Sequence, residues 1–160
     1  MLRRLAWSSV PSPSFSATRL NEIAAQSRRN NERHHLSGML LFTGAHFLGI
    51  LEGEERDLAN LWSRLERDQR HRELIHIGDG LCGKRWFPEW MMAYTDHAVV
   101  GLQIEKLRSA EAWIAAKWAE MIHPIMLRAD AHADWGARRD HQPLTARTER
   151  KSGGSKASND

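Results

Sequence analysis

The sequence predicts an α+β fold in which two helices cover one face of a mixed β-sheet. Three observations support this prediction: strand-like segments alternate with helical ones over residues 1–95, a short hairpin separates the two helices, and each helix has apolar residues at helical spacing. Helices between strands, with a central hairpin, are typical of two-layer sandwiches. The predicted order β-α-β-β-α-β-β is that of a ferredoxin-like sandwich, and further helices follow it.

The first strand and the first helix lie before the hairpin. A partly apolar run over Leu2–Ser9 is predicted to be a strand because it stops at a loop rich in Pro and Ser. Ser16 is predicted to cap the helix, since its hydroxyl can accept a hydrogen bond from the free amides of the first turn. The helix is expected to end near Asn30 and Asn31, because Asn tolerates the left-handed conformation that ends helices.

A hairpin and a second helix form the middle of the predicted domain. Two apolar runs, Ser37–Phe42 and His46–Glu52, flank a turn that contains Gly, and this arrangement favours a β-hairpin. The second helix is predicted from Glu54 or Glu55 to about Asp68. Its Leu and Trp residues follow the spacing i, i+3, i+4, i+7, which places them on one buried face.

Two strands and two helices are predicted in the rest of the chain. The strands are Leu74–Gly78 and Trp90–Tyr94, and the helices are Gln103–Leu107 and Ala110–Met121. Pro124 is expected to limit the second of these helices, because proline lacks the amide hydrogen that a helix interior needs.

Length and composition fit this organisation and exclude several classes of protein. The 160 residues suffice for one domain with an appendage, and we expect a domain over 1–95, a helical extension over 96–127 and a disordered polar tail over 128–160. No apolar run approaches the roughly 20 residues of a membrane helix. The net charge of +3 is too small to indicate a nucleic-acid partner. One cysteine, Cys82, excludes an intrachain disulfide and favours the cytoplasm.

The sequence contains no recognisable catalytic or metal-binding constellation. It has no glycine-rich phosphate loop, and its nine histidines are mostly scattered singly. Cys82 and nearby His76 could resemble a nucleophile and its base, but no third, orienting group stands at a recognisable spacing, so we expect Cys82 to be a small hydrophobic residue. We therefore predict no catalytic residue and no metal site.

Five short motifs stand in order between Leu2 and Tyr94. They are Arg3-Arg4-Leu5-Ala6-Trp7-Ser8-Ser9, Asn30-Asn31 with Leu36-Ser37-Gly38-Met39-Leu40, Phe47-Leu48-Gly49-Ile50-Leu51-Glu52-Gly53, Arg64-Leu65-Glu66-Arg67-Asp68-Gln69-Arg70-His71 and Phe87-Pro88-Glu89-Trp90-Met91-Met92. In sequence and spacing this set resembles the BLUF domains, bacterial modules that sense blue light using FAD. The resemblance implies the ferredoxin-like fold that the periodicity predicts on its own, with trailing helices on the outer face of the sheet.

The resemblance also implies FAD between the two helices, against the sheet. Asn31, next to Asn30, matches the residue that hydrogen-bonds the polar edge of the flavin ring, and an amide suits that edge because it both donates and accepts. Ile23 matches a residue that packs on the ring face. Arg64 and Asp68 match positions near the ring end and the side chain of the cofactor.

The photoactive positions of the family are altered in this sequence. The family uses a tyrosine that gives an electron and a proton, and a glutamine amide that passes the proton and reorganises its hydrogen bonds. Trp7 stands at the tyrosine position and Gly49 at the glutamine position, while Trp90 and Met92 match the pair near that glutamine. An indole donates a hydrogen bond but has no phenol-like proton chemistry, so we expect the ordinary photocycle to be absent.

The two replacements are expected to be coupled through volume. The indole adds volume at one position and glycine removes more at the other, so Trp7 is predicted to lean over Gly49 and keep the sheet packed. That arrangement could block part of the flavin pocket, or the indole could stack beside a flavin that still binds. The sequence does not decide between these alternatives.

Three functions remain at this stage. The first is a flavin-binding blue-light sensor that acts by changing its contacts with a protein partner, and the second is a light-inert or flavin-free interaction module with the same fold. A small flavin-dependent redox enzyme is disfavoured because no acid–base pair or second cofactor motif is visible. The sequence names no partner and leaves a homo-oligomer open.

Overall fold

The structure, a computed structural model, describes residues 1–94, 98–109 and 117–132. Its strands are β1 (Leu2–Pro11), β2 (Ser37–Phe42), β3 (Phe47–Glu54), β4 (His71–Leu81) and β5 (Trp90–Tyr94). Its helices are α1 (Leu20–Arg33), α2 (Glu55–Leu65), α3 (Ala98–Arg108) and α4 (Trp118–His132), and a 3-10 turn over Ala17–Arg19 precedes α1.

The five strands form one mixed sheet in the order β4-β1-β3-β2-β5. Strand β1 pairs antiparallel with β3 and β4, β3 pairs antiparallel with β2, and β5 runs parallel to β2. The first four strands with α1 and α2 make the ferredoxin-like arrangement, which confirms the predicted α+β class. Strand β5 extends the sheet at its β2 edge.

The sheet separates two hydrophobic cores, because alternate side chains of a strand point to opposite faces. One face carries Leu5, Leu40 and Leu51 and packs with Leu20 of α1 and Leu58 of α2. The other face packs against α3 and α4, and its buried members include Ala6, Met39, Leu41, Leu48, Ile50, Ile104, Ile122 and Met126. Both pairs of helices are therefore held by apolar burial, on opposite faces of one sheet.

A buried ion pair fastens the connection between β4 and β5 to the centre of the sheet. Glu52 of β3 is fully buried, and its carboxylate accepts from Arg4 Nε at 2.6 Å. It also accepts from the backbone N–H groups of Trp86 at 2.8 Å and Phe87 at 2.9 Å. The Arg4 guanidinium lies 3.4 Å from the centre of the Trp86 ring. These contacts fix the segment that leads directly into Trp90.

Two predicted features of the first helix are wrong. Ser16 makes no capping bond; its hydroxyl is 2.7 Å from that of Thr18, and a 3-10 turn begins there instead. The helix does not end at Asn30 or Asn31 but continues to Arg33. The left-handed residue that ends it is His35, with φ of 51°, because Asn31 stays helical and is buried in the protein.

Later boundaries also differ from the prediction. Helix α2 ends at Leu65, because Asp68 lies in the next turn and accepts from the backbone N–H of Arg70 at 3.0 Å. Pro124 lies inside α4 and does not limit it. Burial of apolar residues on both sides of the proline offsets the missing hydrogen bond. The disordered tail predicted from residue 128 is wrong over its first residues, because α4 continues to His132. Residues 110–116 of the predicted helix and residues 133–160 of the predicted tail lie outside the described part of the chain.

Candidate functional site

A cavity of about 330 Å³ lies between α1, α2 and the sheet. Helix α1 contributes Ile23, Asn30 and Asn31 to its wall, α2 contributes Arg64, and the turn after α2 contributes Asp68. The structure thus brings all five predicted cofactor-binding residues to one cavity. The wall also includes apolar side chains from the sheet and α2: Leu40, Phe47, Leu51, Leu61 and Leu65.

The four photoactive-equivalent positions are on the same face of the sheet, at different distances from the cavity. Trp7 and Trp90 line the cavity directly. Met92 is partly buried and packs against the core on that face without lining the cavity. Gly49 is opposite Trp7 in the β1–β3 register and lies beneath its indole.

The indole of Trp7 fills the space above Gly49. A Cβ atom built on Gly49 would lie 2.3 Å from Nε1 and 2.3 Å from Cε2 of Trp7. Non-bonded atoms do not approach this closely, so position 49 accepts no side chain while Trp7 keeps this orientation. The predicted packing of Trp7 over Gly49 is present, and the cavity stays open beside it.

Several polar atoms at the cavity are buried without a hydrogen-bond partner among the described residues. They are Nε1 of Trp7, Nε1 of Trp90 and both ring nitrogens of His71. Trp7 and Trp90 are 4% and 8% exposed, so water does not replace the missing partners readily. A buried donor without an acceptor is unfavourable by about 1–3 kcal/mol. Because these atoms have almost no accessible surface while the cavity is empty, they are covered by protein and do not face its open space.

An acidic and a basic side chain are paired at the cavity wall. Arg70 Nε donates to the two carboxylate oxygens of Asp68 at 2.8 Å and 3.0 Å, and Arg70 also reaches Gln26 Oε1 at 3.3 Å. Burial alone would raise the pKa of the Asp68 carboxyl, but the hydrogen bonds and charge of Arg70 outweigh it and hold that pKa below its usual range.

His71 is a titratable residue beside Trp7 on this wall. Its ring centre is 5.8 Å from that of Trp7, with the two planes tilted by 32°. Burial lowers the pKa of the His71 imidazole, because the charged form loses its hydration there. The ring is therefore neutral near pH 7, with one nitrogen as donor and one as acceptor.

Several residues of the cavity wall were not predicted from the sequence. Arg70 and His71 stand in one of the five quoted motifs, so a signal for them was present in the sequence. Phe15 lies in the loop after β1 and closes one side of the cavity, with its ring edge-on to Phe42 at 5.4 Å and Phe47 at 5.3 Å. No periodicity marks a loop residue of this kind.

The family model described as sensors of blue-light using FAD matches residues 2–93. The chain belongs to this family, the BLUF family. Its match covers the sheet, α1 and α2, including every residue of the cavity wall.

The BLUF relatives include both long and short proteins. The alpha subunit of the photoactivated adenylate cyclase of Euglena gracilis is 31% identical over 93 residues, which are 57% of this chain and 9% of that subunit. The chain thus spans about a tenth of the length of that relative. The BLUF protein BlrB, solved in its dark state, is 24% identical with a TM-score of 0.61, over 77% of this chain and 96% of that one.

A flavin-containing relative is also among the solved structures. BlrP1 of Klebsiella pneumoniae, solved with FMN and cyclic diGMP, is 26% identical with a TM-score of 0.52. The alignment covers 57% of this chain and 25% of that one. BLUF domains bind flavin, and this relative shows FMN in a protein that shares the fold.

The residues of this cavity fit a flavin ring. Apolar side chains line its walls, as a flat aromatic ring requires, and a volume of about 330 Å³ is within the range of small-molecule pockets. Asn30 and Asn31 also line the cavity, and an amide can both donate to and accept from the polar edge of such a ring. Among residues 1–94, 98–109 and 117–132, no cluster of His, Cys, Asp and Glu could hold a metal ion, and no helix is long and apolar enough to cross a membrane.

Proposed function

We propose that this BLUF chain is a flavin-binding sensor module that signals through protein contacts, and that the ordinary BLUF photocycle does not run in it. The observation that supports the proposal is the cavity between α1 and α2, where the five matched positions meet. Flavin, when bound there, supplies the absorption of blue light and an electron acceptor.

Each of the five matched residues has a defined task in this proposal. The Asn31 side chain, 3% exposed, holds the polar edge of the ring, with Asn30 beside it. Ile23 packs on the ring face. Arg64 and Asp68 hold the part of the cofactor that leaves the cavity, with Asp68 kept ionised by Arg70.

The altered positions remove the usual switch. An indole such as that of Trp7 can only donate a hydrogen bond, through Nε1, and has no acceptor atom, so it cannot both release and recover a proton as a phenol does. Gly49 has no amide to rotate, and the Trp7 indole occupies the space where one would stand. A light response in this chain would therefore need another route than proton relay between positions 7 and 49.

The output of the proposed module lies on the opposite face of the sheet. Arg108, at the end of α3, donates to Ser8 Oγ at 3.2 Å and to the backbone oxygen of Glu73 at 3.2 Å. Ser8 is the neighbour of Trp7 in β1, and Glu73 is two residues from His71 in β4. A change at the cavity would reach α3 through these contacts and alter how the helical extension over 96–127 meets a protein partner.

The proposed module covers residues 1–95, carries no enzymatic activity of its own, and acts in the cytoplasm with its single cysteine reduced. The adenylate cyclase relative is named for a reaction, but the part that resembles this chain is a small fraction of it. The signal from the cavity therefore goes to a partner protein or to a second copy of the chain.

Flavin uptake tests the proposal. The protein is expressed with ample FAD, purified, and measured for bound flavin by its blue absorption band. We expect a yellow protein with about one flavin per chain, and less flavin in Asn31→Ala because a ring-edge partner is lost. Asn21→Ala, an exposed change on the same helix, serves as the control and should keep its flavin. A colourless protein would overturn the proposal.

A further inference from the structure

We infer that Arg108 of α3 locks a β-bulge at Glu73 of β4, and that this bulge is a two-state element which decides the side chain that β4 turns toward the cavity. In the locked state that side chain is His71, and in the relaxed state it is Arg72. The inference deepens the proposed function, on which it rests, because it names the structural element that connects α3 with the cavity wall.

Strand β4 is irregular at one residue of its pairing with β1. Glu73 has a φ of 53°, in the left-handed region that a residue with a side chain rarely adopts. The register changes at the same place, because Ile75 is paired with Ser8 whereas Arg72 is paired with Val10. A step of two residues in β1 thus matches a step of three in β4, and such an extra residue is a β-bulge.

The bulge determines which side chains of β4 face the cavity. His71 lines the cavity, and Leu74, three residues later, packs into the core on the same face of the sheet. In a regular strand, residues two apart share a face, so Leu74 would be accompanied by Arg72 and not by His71. Without the extra residue, β4 would therefore turn a guanidinium toward the cavity in place of an imidazole.

Arg108 holds Glu73 in the left-handed conformation from the side of α3. Its guanidinium donates to the backbone oxygen of Glu73 at 3.2 Å and to the carboxylate Oε2 at 3.3 Å. It also donates to Ser8 Oγ at 3.2 Å, which ties β1 to the same point. The Arg108 side chain is 10% exposed, so these bonds are largely shielded from water. A strained backbone persists only where its surroundings hold it, and displacement of α3 would remove all three bonds together.

The bulge couples the two faces of the sheet in both directions. When α3 moves away, Glu73 becomes extended, and the first residues of β4 move by one position against β1, so that Arg72 replaces His71 at the cavity. A ligand that packs better against His71 than against Arg72 shifts the equilibrium to the locked state and thereby favours the docked position of α3.

Paired glycine and alanine substitutions test the bulge in the flavin-free protein. Glu73→Gly and Glu73→Ala both remove the carboxylate, but only glycine adopts a positive φ without strain. We expect the equilibrium constant for unfolding, measured in urea, to be about tenfold larger for Glu73→Ala. Arg72→Gly and Arg72→Ala are the control pair in the same strand, where the alanine variant should be the more stable. An alanine variant at position 73 that is at least as stable as the glycine variant would overturn the bulge.

The role of Arg108 is tested by comparing Arg108→Gln with Lys106→Gln, an exposed change on the same helix. Cross-strand NOEs are recorded by NMR, again without flavin. In Arg108→Gln we expect NOEs between Pro11 and Arg72 to replace those between Val10 and Arg72, while Lys106→Gln keeps the original set. An Arg108→Gln protein that is folded and keeps the NOEs between Val10 and Arg72 would overturn the lock.

The unmodified protein supplies a check that does not depend on how the variants fold. A left-handed residue brings its own amide and Cα hydrogens close together, so Glu73 should give a stronger intraresidue NOE than its neighbours in β4. An NOE as weak as theirs would overturn the bulge. None of these measurements uses FAD, so a protein that fails to bind FAD overturns the proposed function, whereas the NOEs and the unfolding constants decide the bulge separately.

Discussion

Trp7 and Gly49 face each other across β1 and β3, and the indole of the first occupies the side-chain space of the second. The two residues therefore form one packing unit, in which a larger residue at one position requires a smaller residue at the other. The same unit removes the tyrosine and the glutamine on which the family's photocycle depends. Stability, cofactor contact and light response consequently meet at this pair.

Adding a methyl group at position 49 should destabilise the protein. Gly49→Ala forces the Trp7 ring out of its place, and overpacking of this kind costs about 1–3 kcal/mol. Gly80→Ala on β4 is the matched control, because a Cβ there meets no atom within 4 Å. Urea unfolding should show a lower free energy of unfolding for the first variant only. Equal values for the two glycines would mean that the indole moves aside freely.

Loss of the buried carboxylate in β3 should destabilise the protein more strongly. In Glu52→Gln the Arg4 guanidinium keeps its charge without a counterion, and breaking a buried pair in this way costs about 3–5 kcal/mol. Glu54→Gln, at the exposed end of the same strand, should change the free energy of unfolding by less than about 0.5 kcal/mol. Thermal or urea unfolding checks both. A small effect at Glu52 would show that water reaches Arg4 in the variant.

The free energy of unfolding should decrease in two separate pH ranges as the pH is lowered. The pKa of His71 is lowered by burial, and that of His46 is lowered by burial and by the charge of Arg108. In the unfolded chain both histidines have their ordinary pKa of 6.5 and are protonated as the pH falls below it, while in the folded protein they stay neutral. The free energy of unfolding therefore decreases as the pH falls from about 6.5 toward the lower folded-state pKa values. The pKa of Asp68 is lowered from 3.8, so its contribution is present above that value and is lost as the pH falls further.

Removal of one imidazole separates the contributions to the upper window. His71→Gln cannot be protonated near pH 6, so its free energy of unfolding should depend less on pH between 7 and 5 than that of the unmodified protein. The pH dependence of the free energy of unfolding that remains in His71→Gln is expected to come from His46. Urea unfolding at a series of pH values measures it, and an identical slope in His71→Gln would show that His71 is solvated in the folded state.

The fold class was predictable from local patterns in the sequence, and the cavity residues from the resemblance of five motifs to those of a known family. Alternation in the strands and the helical spacing around Leu58 determine which faces are buried. The pairing of Trp7 with Gly49 was also predictable, since a change of volume in one place must be matched nearby. These features are encoded by neighbours in the sequence or by motif spacing.

The features that sequence reasoning missed depend on tertiary packing. Pro124 is tolerated inside α4 because the residues around it are buried against the sheet. Local sequence propensity does not reveal this burial. Ser16 has the right side chain for a cap, but its hydroxyl is close to that of Thr18. Phe15 joins the cavity wall because a loop folds back onto β2 and β3. Local propensity sets a preference in each case, and long-range contacts decide the outcome.

Restoration of the photocycle should require both residues of the pair. Trp7→Tyr alone leaves no amide at position 49, and Gly49→Gln alone collides with the indole. The double variant rebuilds the phenol and the amide while roughly conserving volume, so it should gain a reversible red shift of the flavin band in blue light. A red shift in either single variant would show that the two positions act independently.

The most direct measurement is the absorption spectrum of the unmodified, flavin-loaded protein before, during and after blue light. Trp7 has no phenolic proton and Gly49 has no amide, so we expect a flavin band that returns no reversible red-shifted form. The double variant, recorded in parallel, shows that the instrument and the light dose would detect one. A reversible red shift in the unmodified protein would contradict the conclusion that this pair has lost the photocycle.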